Sequence, residues 1–177
     1  MKQLLLLNPE QVSEEEAERF PIREAARAIV IDGRGMIALL HVAKDEYYKL
    51  PGGGLEGAED KKTALERECR EEIGCDIKVT GEVGSIIEYR KTLHLKQISY
   101  CYLAKVKGEK GKPHFTDNEI KRGFKLVWLP FKDVVYVIQG GLAKNLEGSA
   151  FIVPRDIAFL KAAENLIGTL SIDAQQH

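Results

Sequence analysis

Apolar positions along the chain change their period several times, and each change marks an expected element. Leu4–Leu7 is a short strand-like run, and Ser13-Glu14-Glu15-Glu16 has the form of a capping box ahead of a brief helix. Ala28-Ile29-Val30-Ile31 and Met36-Ile37-Ala38-Leu39-Leu40 flank Asp32-Gly33-Arg34-Gly35, which reads as a hairpin with both arms buried. After the glycine-rich stretch Pro51–Gly54, a helical period covers about Asp60–Ile73 and stops at Gly74, where a C-terminal cap is expected. Strand signals return at Ile77–Val79, Val83–Tyr89 and Gln97–Val106, and again at Phe124–Leu129 before Pro130. Phe131–Gln139 and Pro154–Ile167 read as helices, the second with Pro154 suited to a first turn. The pattern predicts a mixed α+β domain whose sheet brackets the central helix. It divides into an N-terminal extension over residues 1–22, a domain over 23–140, and a C-terminal segment over 141–177 whose helix packs on the domain.

Bulk properties narrow the class. At 177 residues there is room for one domain with additions, and 44% hydrophobic with 30% charged residues fits a globular chain. Lys plus Arg number 26 against 27 for Asp plus Glu, so no broad field favours long nucleic acid as a partner. Cys69, Cys75 and Cys101 form no CxxC pair and cannot all pair internally, which argues against a zinc site or a disulfide framework and suits a reducing cytoplasm. The opening apolar run is too short for a secretory signal, and no segment approaches the ~20 apolar residues of a membrane span. The expected location is cytoplasmic, away from membranes.

The helix over Asp60–Ile73 carries the candidate chemistry. At 100° per residue Ala64, Glu68, Glu71 and Glu72 share one arc, with Leu65, Cys69 and Ile73 as an adjacent apolar stripe. Like charges at such spacings oppose a helix by roughly 0.2–0.5 kcal/mol per pair, so the face asks for counter-charges or a cation. Read alone, Glu66–Arg70 and Arg67–Glu71 are ordinary ion pairs on a solvated surface. Gly52-Gly53-Gly54 upstream alters that reading, because glycine lets backbone approach a phosphate or metal without a Cβ in the way.

Loop and helix together resemble the Nudix box: Gly53, five residues, Glu59, seven residues, then Arg67-Glu68-Cys69-Arg70-Glu71-Glu72-Ile73-Gly74-Cys75. All seven fixed positions are filled, a chance match on the order of 10⁻⁸ per start site at average residue usage. Cys69 and Cys75 stand where the motif has bulky aliphatic residues, and buried cysteine behaves as a small hydrophobe. The resemblance extends over about Arg23–Gln139, including Leu50-Pro51-Gly52-Gly53-Gly54-Leu55-Glu56 and Val127-Trp128-Leu129-Pro130. It implies an α/β/α sandwich with a mixed sheet and a loop–helix–loop catalytic motif.

The same resemblance implies a Mg²⁺- or Mn²⁺-dependent hydrolase of a diphosphate linkage in a small nucleotide-like substrate, hard cations being suited to carboxylate oxygens. Glu68, Glu71 and Glu72, with the Gly52 carbonyl, are the implied metal ligands. Arg67 would orient the carboxylates and Glu59 would brace the loop, with Gly53 and Gly54 beside the substrate. The general base lies within the box at Glu68 or on a later loop, where Glu119 is the leading candidate, a solvated turn carboxylate being its equal alternative. Arg90, Lys91, His94 and Lys96 form a basic hairpin segment that reads either as a contact for substrate phosphates or a base or, like most such runs, as simply solvated, and Trp128 reads as core. By family prevalence the substrate is a nucleoside triphosphate, including oxidised-guanine forms. Nucleotide sugars and dinucleoside polyphosphates are the alternatives, the latter because Tyr89 resembles a tyrosine of such hydrolases at an imperfect spacing. A non-catalytic nucleotide-binding module is the rival from another class, and an isopentenyl diphosphate isomerase is disfavoured for want of its cysteine pair. A homodimer is compatible with the sequence.

Overall fold

The computed structural model describes residues 1–173. In chain order the elements are β1 (Gln3–Leu7), α1 (Glu14–Ala17), β2 (Ile22–Ile31), β3 (Met36–Val42), β4 (Tyr47–Lys49), α2 (Lys61–Ile73), β5 (Asp76–Arg90), β6 (Leu95–Lys107), α3 (Asp117–Lys121), β7 (Phe124–Pro130), α4 (Phe131–Gly140) and α5 (Val153–Asp173). A π-helical turn over Glu147–Ile152 leads into α5. The strands form one mixed sheet in the order β1-β5-β6-β2-β3-β4, with β7 on β3, and helices cover both faces. This is the α+β arrangement expected from the periodicity.

Two faces follow from strand alternation along β2. Ala26, Ala28 and Val30 meet Tyr102 and Ala104 of β6 and the α2 stripe Leu65, Cys69 and Ile73. Ile29 turns the other way, with Cys101 and Leu103, onto Phe159, Leu160 and Ala163 of α5 and Val134 and Ile138 of α4. Leu65 and Ile73 are fully buried, each stabilising by about 1.5–3 kcal/mol relative to exposure. The side chain of Asp60 caps α2 by accepting from the N–H groups of Lys62 and Thr63. Gly74 ends the helix at φ 65°, where a Cβ would come within 2.5 Å of the Lys112 carbonyl carbon.

Several expectations are corrected. The β2–β3 hairpin is brief: Ile31 pairs Ile37, the turn closes by Asp32 N–H donating to the Met36 carbonyl, and the strands then part. β3 runs instead along β7 from Met36↔Pro130 to Val42↔Phe124, while β2 runs parallel to β6 from Ile22↔Lys96 to Ile31↔Lys105. The two signals at 77–79 and 83–89 belong to one strand, β5, whose register shifts near Gly81 and Gly84. Within residues 1–22, β1 lies parallel to β5, and Val12, Ala17 and Phe20 pack against Tyr89. Parallel partners lie far apart in sequence, which a local period cannot reveal. β4 and α3 were not foreseen. No described helix is long and apolar enough to cross a membrane.

Candidate active site

Where β3 leaves β2, the glycine-rich loop takes up the vacated edge. Ala26 N–H donates to the Gly53 carbonyl (2.9 Å), Ala28 N–H to that of Pro51 (3.0 Å), and Leu55 N–H to that of Glu24 (3.1 Å). A Cβ on Gly52, which sits at φ 126°, would overlap the Ala26 carbonyl oxygen and lie 2.9 Å from Arg27 Cα. A Cβ on Gly53 would collide with the Glu68 carboxylate instead. The loop thus lies wedged between β2 and α2, along a cleft of about 370 Å³.

The three box carboxylates of α2 differ in burial, Glu72 being the most buried and Glu71 the most exposed. Glu72 is 2% exposed and accepts from Gly52 N–H at 2.6 Å and from Lys49 Nζ at 2.7 Å. Burial pushes its carboxyl above the ordinary range, against the pull of the Lys49 ammonium. Glu68 faces the loop, and Glu71 is half-exposed. Arg67 ties them together: it donates to both oxygens of Glu59 at 3.0 Å, to the Gly54 carbonyl at 3.1 Å, to Glu68 at 3.0 Å and to Glu71 at 3.3 Å. The bidentate bond to Glu59 raises the Arg67 guanidinium further and holds the Glu59 carboxyl below its usual value.

Gly52, Gly53, Gly54, Glu68, Glu72 and Glu119 line the cleft, whereas Arg67, Glu59 and Glu71 stand behind it or beside it. As arranged, no three acidic, His or Cys side chains among the described residues converge tightly enough to enclose a metal ion. Glu68 and Glu71 lean on Arg67, and Glu72 on Lys49. The donor chemistry nevertheless suits a hard cation. Lys49 Nζ lies 2.7 Å from the Glu72 carboxylate and 3.4 Å from the Gly52 carbonyl, so an ammonium already sits between two of the anticipated oxygen ligands.

Glu119 is not a free turn carboxylate. Thr116-Asp117-Asn118-Glu119 closes a capping box on α3, with the Glu119 carboxylate accepting from Thr116 N–H at 2.8 Å and Oγ1 at 2.9 Å. Trp128 packs at the α2 side of the sheet, beneath Lys110 Nζ at 3.5 Å, and does not line the cleft. All three cysteines are buried, and burial pushes their thiols up, consistent with a packing role.

Cations line much of the same cleft, which the sequence did not disclose. Arg23, Arg27, Arg90, Arg122 and Arg155 join Lys49 there. Arg90 departs from the solvated reading of its segment: it lines the cleft, is 4% exposed, donates to Glu88 at 2.6 Å, pairs with Glu147 at 3.3 Å and lies 4.9 Å from the Phe151 ring. Lys91 of the same run is half-exposed beside Glu16. Arg23 donates to Gln97, whose amide in turn donates to Glu88 and Ser99. Arg122 holds Asp45 and the Tyr47 hydroxyl. Arg155 bonds Asp156 at 2.8 Å and Glu88 at 3.4 Å, and Asp156 accepts from Leu50 N–H. The readable signal was Arg23 and Arg27 at an even spacing, which on a strand places both on one face.

A family model for the NUDIX domain matches residues 21–148. Among solved structures, the E. coli ORF135 protein shares 21% identity, with 86% of this chain and 95% of that one covered and a TM-score of 0.59. A NUDIX hydrolase from Nitrosomonas europaea shares 13% over 82% of this chain and 90% of its own, at a TM-score of 0.61. The C. elegans Ap4A hydrolase shares 13% over 83% and 99%, at 0.58. These structural likenesses concern the fold. Among curated proteins, none matches the chain.

Proposed function

We propose, from the premise that this chain belongs to the NUDIX domain family, that it is a pyrophosphohydrolase acting with Mg²⁺ or Mn²⁺ on a small nucleoside diphosphate derivative, by preference a nucleoside triphosphate. The observation that carries the reading is the Lys49 ammonium held between the Glu72 carboxylate and the Gly52 carbonyl, in a cleft lined by Glu68 and several arginines. Oxygen donors and guanidinium forks in one cleft suit a substrate that is anionic at several phosphates. The C. elegans relative by its name acts on a dinucleoside polyphosphate, which keeps that class in the panel below.

In this reading Glu68, Glu71 and Glu72, with the Gly52 carbonyl, hold the divalent cation. Such a cation, when bound, neutralises phosphate oxygens and lowers the pKa of a coordinated water. Arg67 is a positioning residue, since its five bonds fix Glu59, Glu68, Glu71 and the Gly54 carbonyl in one lattice. Glu68 is the better proton acceptor than Glu119, whose carboxylate oxygen is already bonded twice to Thr116. Gly53 and Gly54 leave the loop bare, so a phosphate can approach its backbone.

The test is a panel of nucleoside triphosphates, nucleotide sugars and dinucleoside polyphosphates with Mg²⁺ and Mn²⁺, scored for pyrophosphate and phosphate release. At least one class is turned over, and Glu72→Gln lowers kcat by roughly 10²-fold or more with the fold retained, as expected for loss of a metal ligand. Measurable nucleotide affinity without turnover on any member would favour a binding module and refute the hydrolase.

A further inference from the structure

One of the buried arginines of the cleft lacks a bonded carboxylate. Arg27, Arg90 and Arg155 are buried there, 6%, 4% and 1% exposed, and the buried carboxylates beside them are Glu88 and Asp156. Glu88 is shared by Arg90 and Arg155, the half-exposed Glu147 also pairs with Arg90, and Asp156 is taken by Arg155 and Leu50 N–H. Arg27 makes no hydrogen bond or ion pair with any described residue, and its Nε and Arg155 Nη2 are the two buried side-chain donors left without a partner. Glu72, the next carboxylate in range, is committed to Lys49 and Gly52.

Two guanidiniums side by side repel each other. Burial first, and Arg155 second, bring Arg27 down to about 10 against the pull of Asp156, Glu72 and Glu88, so it stays charged at neutral pH. A buried guanidinium with no hydrogen-bonded partner is costly, and such an arrangement is retained most readily where an anion binds. Both residues line the same cleft as Glu68 and Glu72 but stand on the α5 side of the sheet, since Arg27 shares the strand face of Ile29. The guanidinium fork matches phosphate oxygens, and a terminal phosphate, which carries a charge of about −1.5 to −2 at neutral pH, offsets both cations where a singly charged bridging phosphate does not.

We propose that Arg27 and Arg155 form an anion subsite for a terminal phosphate group of the substrate, apart from the carboxylate face that holds the scissile diphosphate. This rests on the hydrolase reading above and narrows it: preferred substrates carry a free phosphate beyond the bond that is cut, as a nucleoside triphosphate does and a nucleotide sugar does not.

The first arm uses the full chain in EDTA at fixed ionic strength, titrated with inorganic phosphate by calorimetry. Wild type binds saturably, Arg27→Met weakens binding at least tenfold, and Arg27→Lys recovers part of it. Phosphate also raises the wild-type melting temperature, a readout that survives should Arg27→Met fail to fold. In the second arm the KM for a nucleoside triphosphate rises at least tenfold in Arg27→Met, with a smaller change in kcat. Equal phosphate affinity in wild type and Arg27→Met, no phosphate-induced rise in melting temperature, or an unchanged KM overturns the subsite. The hydrolase reading fails separately: phosphate binding that tracks Arg27 in a protein that cleaves no diphosphate would leave the anion site and remove the enzyme.

Discussion

Adjacent glycines in the loop make contrasting demands, and Gly52→Ala and Gly53→Ala separate them. At Gly52 the backbone is at φ 126° and the added Cβ meets main chain, overlapping the Ala26 carbonyl oxygen and reaching 2.9 Å from Arg27 Cα. Neither β2 nor the loop can yield cheaply, because Ala26 and Ala28 are tied to Gly53 and Pro51. Backbone strain of about 1–3 kcal/mol and overpacking of about 1–3 kcal/mol add to a loss of roughly 2–6 kcal/mol in stability. At Gly53 the Cβ meets only the end of a side chain, 2.5 Å from Glu68 Cδ, and φ is not positive. Turning Glu68 aside costs about 0.5–1.5 kcal/mol as an off-rotamer displacement. Moving the proposed proton acceptor by about 1 Å can lower the rate by roughly 10²-fold. Urea denaturation and steady-state turnover on the same preparations read the two effects apart. Gly52→Ala should lose stability and Gly53→Ala should lose activity while remaining folded. Full activity in Gly53→Ala, or a larger stability loss there than in Gly52→Ala, would refute the account of the loop.

Three further outcomes follow from the same geometry. Lys49→Met strands the buried Glu72 carboxylate and lowers stability in EDTA by about 3–5 kcal/mol, with Mg²⁺ restoring more of the melting temperature than in wild type; equal Mg²⁺ shifts in the two proteins would argue against a shared cation position. The thiols of Cys69, Cys75 and Cys101 should resist a thiol-modifying reagent in the folded protein and react once urea unfolds it, since burial both covers them and raises them; rapid labelling of the native chain contradicts this. At Asp32, burial alone would raise the carboxyl, but Lys110 and the N–H groups of Met36 and Arg34 more than offset it, so its folded value is depressed. Its stabilisation is therefore present above about pH 4, the unfolded value, and is lost as pH falls through the folded one. The stability gap between wild type and Asp32→Asn should narrow from pH 7 to pH 2.5, and a constant gap would exclude the linkage.

The helix and loop of the site were legible because their signals are local. Asp60 caps α2, Gly74 stops it, and the spacing from Gly53 through Glu59 to Arg67–Glu72 specifies a motif that folding leaves contiguous. Strand positions were readable as well, but their pairing was not: the sequence offered β2 and β3 as hairpin partners, whereas β6 and the glycine-rich loop hold most of β2. The cationic lining of the cleft was hidden for that reason. Arg27 and Arg155 approach each other only because a parallel strand pair and a C-terminal helix enclose the cleft, and Lys49 meets Glu72 from a three-residue strand too short to show a period. Glu119 is a different case, since Thr116-x-x-Glu119 is a capping box that could have been read as such.

The parallel pairing of β2 with β6 has a consequence for how the protein reaches this state. Arg23 and Gln97, opposite each other in that ladder, are 74 residues apart along the chain, and β1 finds β5 over a similar distance. Closing such loops gives up chain entropy before any contact rewards it, which slows folding towards the millisecond-to-second range. The α2 segment can flicker into helix early, yet it has no phosphate-binding wall to face until the remote strands have zipped together. Competence to bind substrate should therefore emerge in the last kinetic phase of refolding, after most helical signal has already returned.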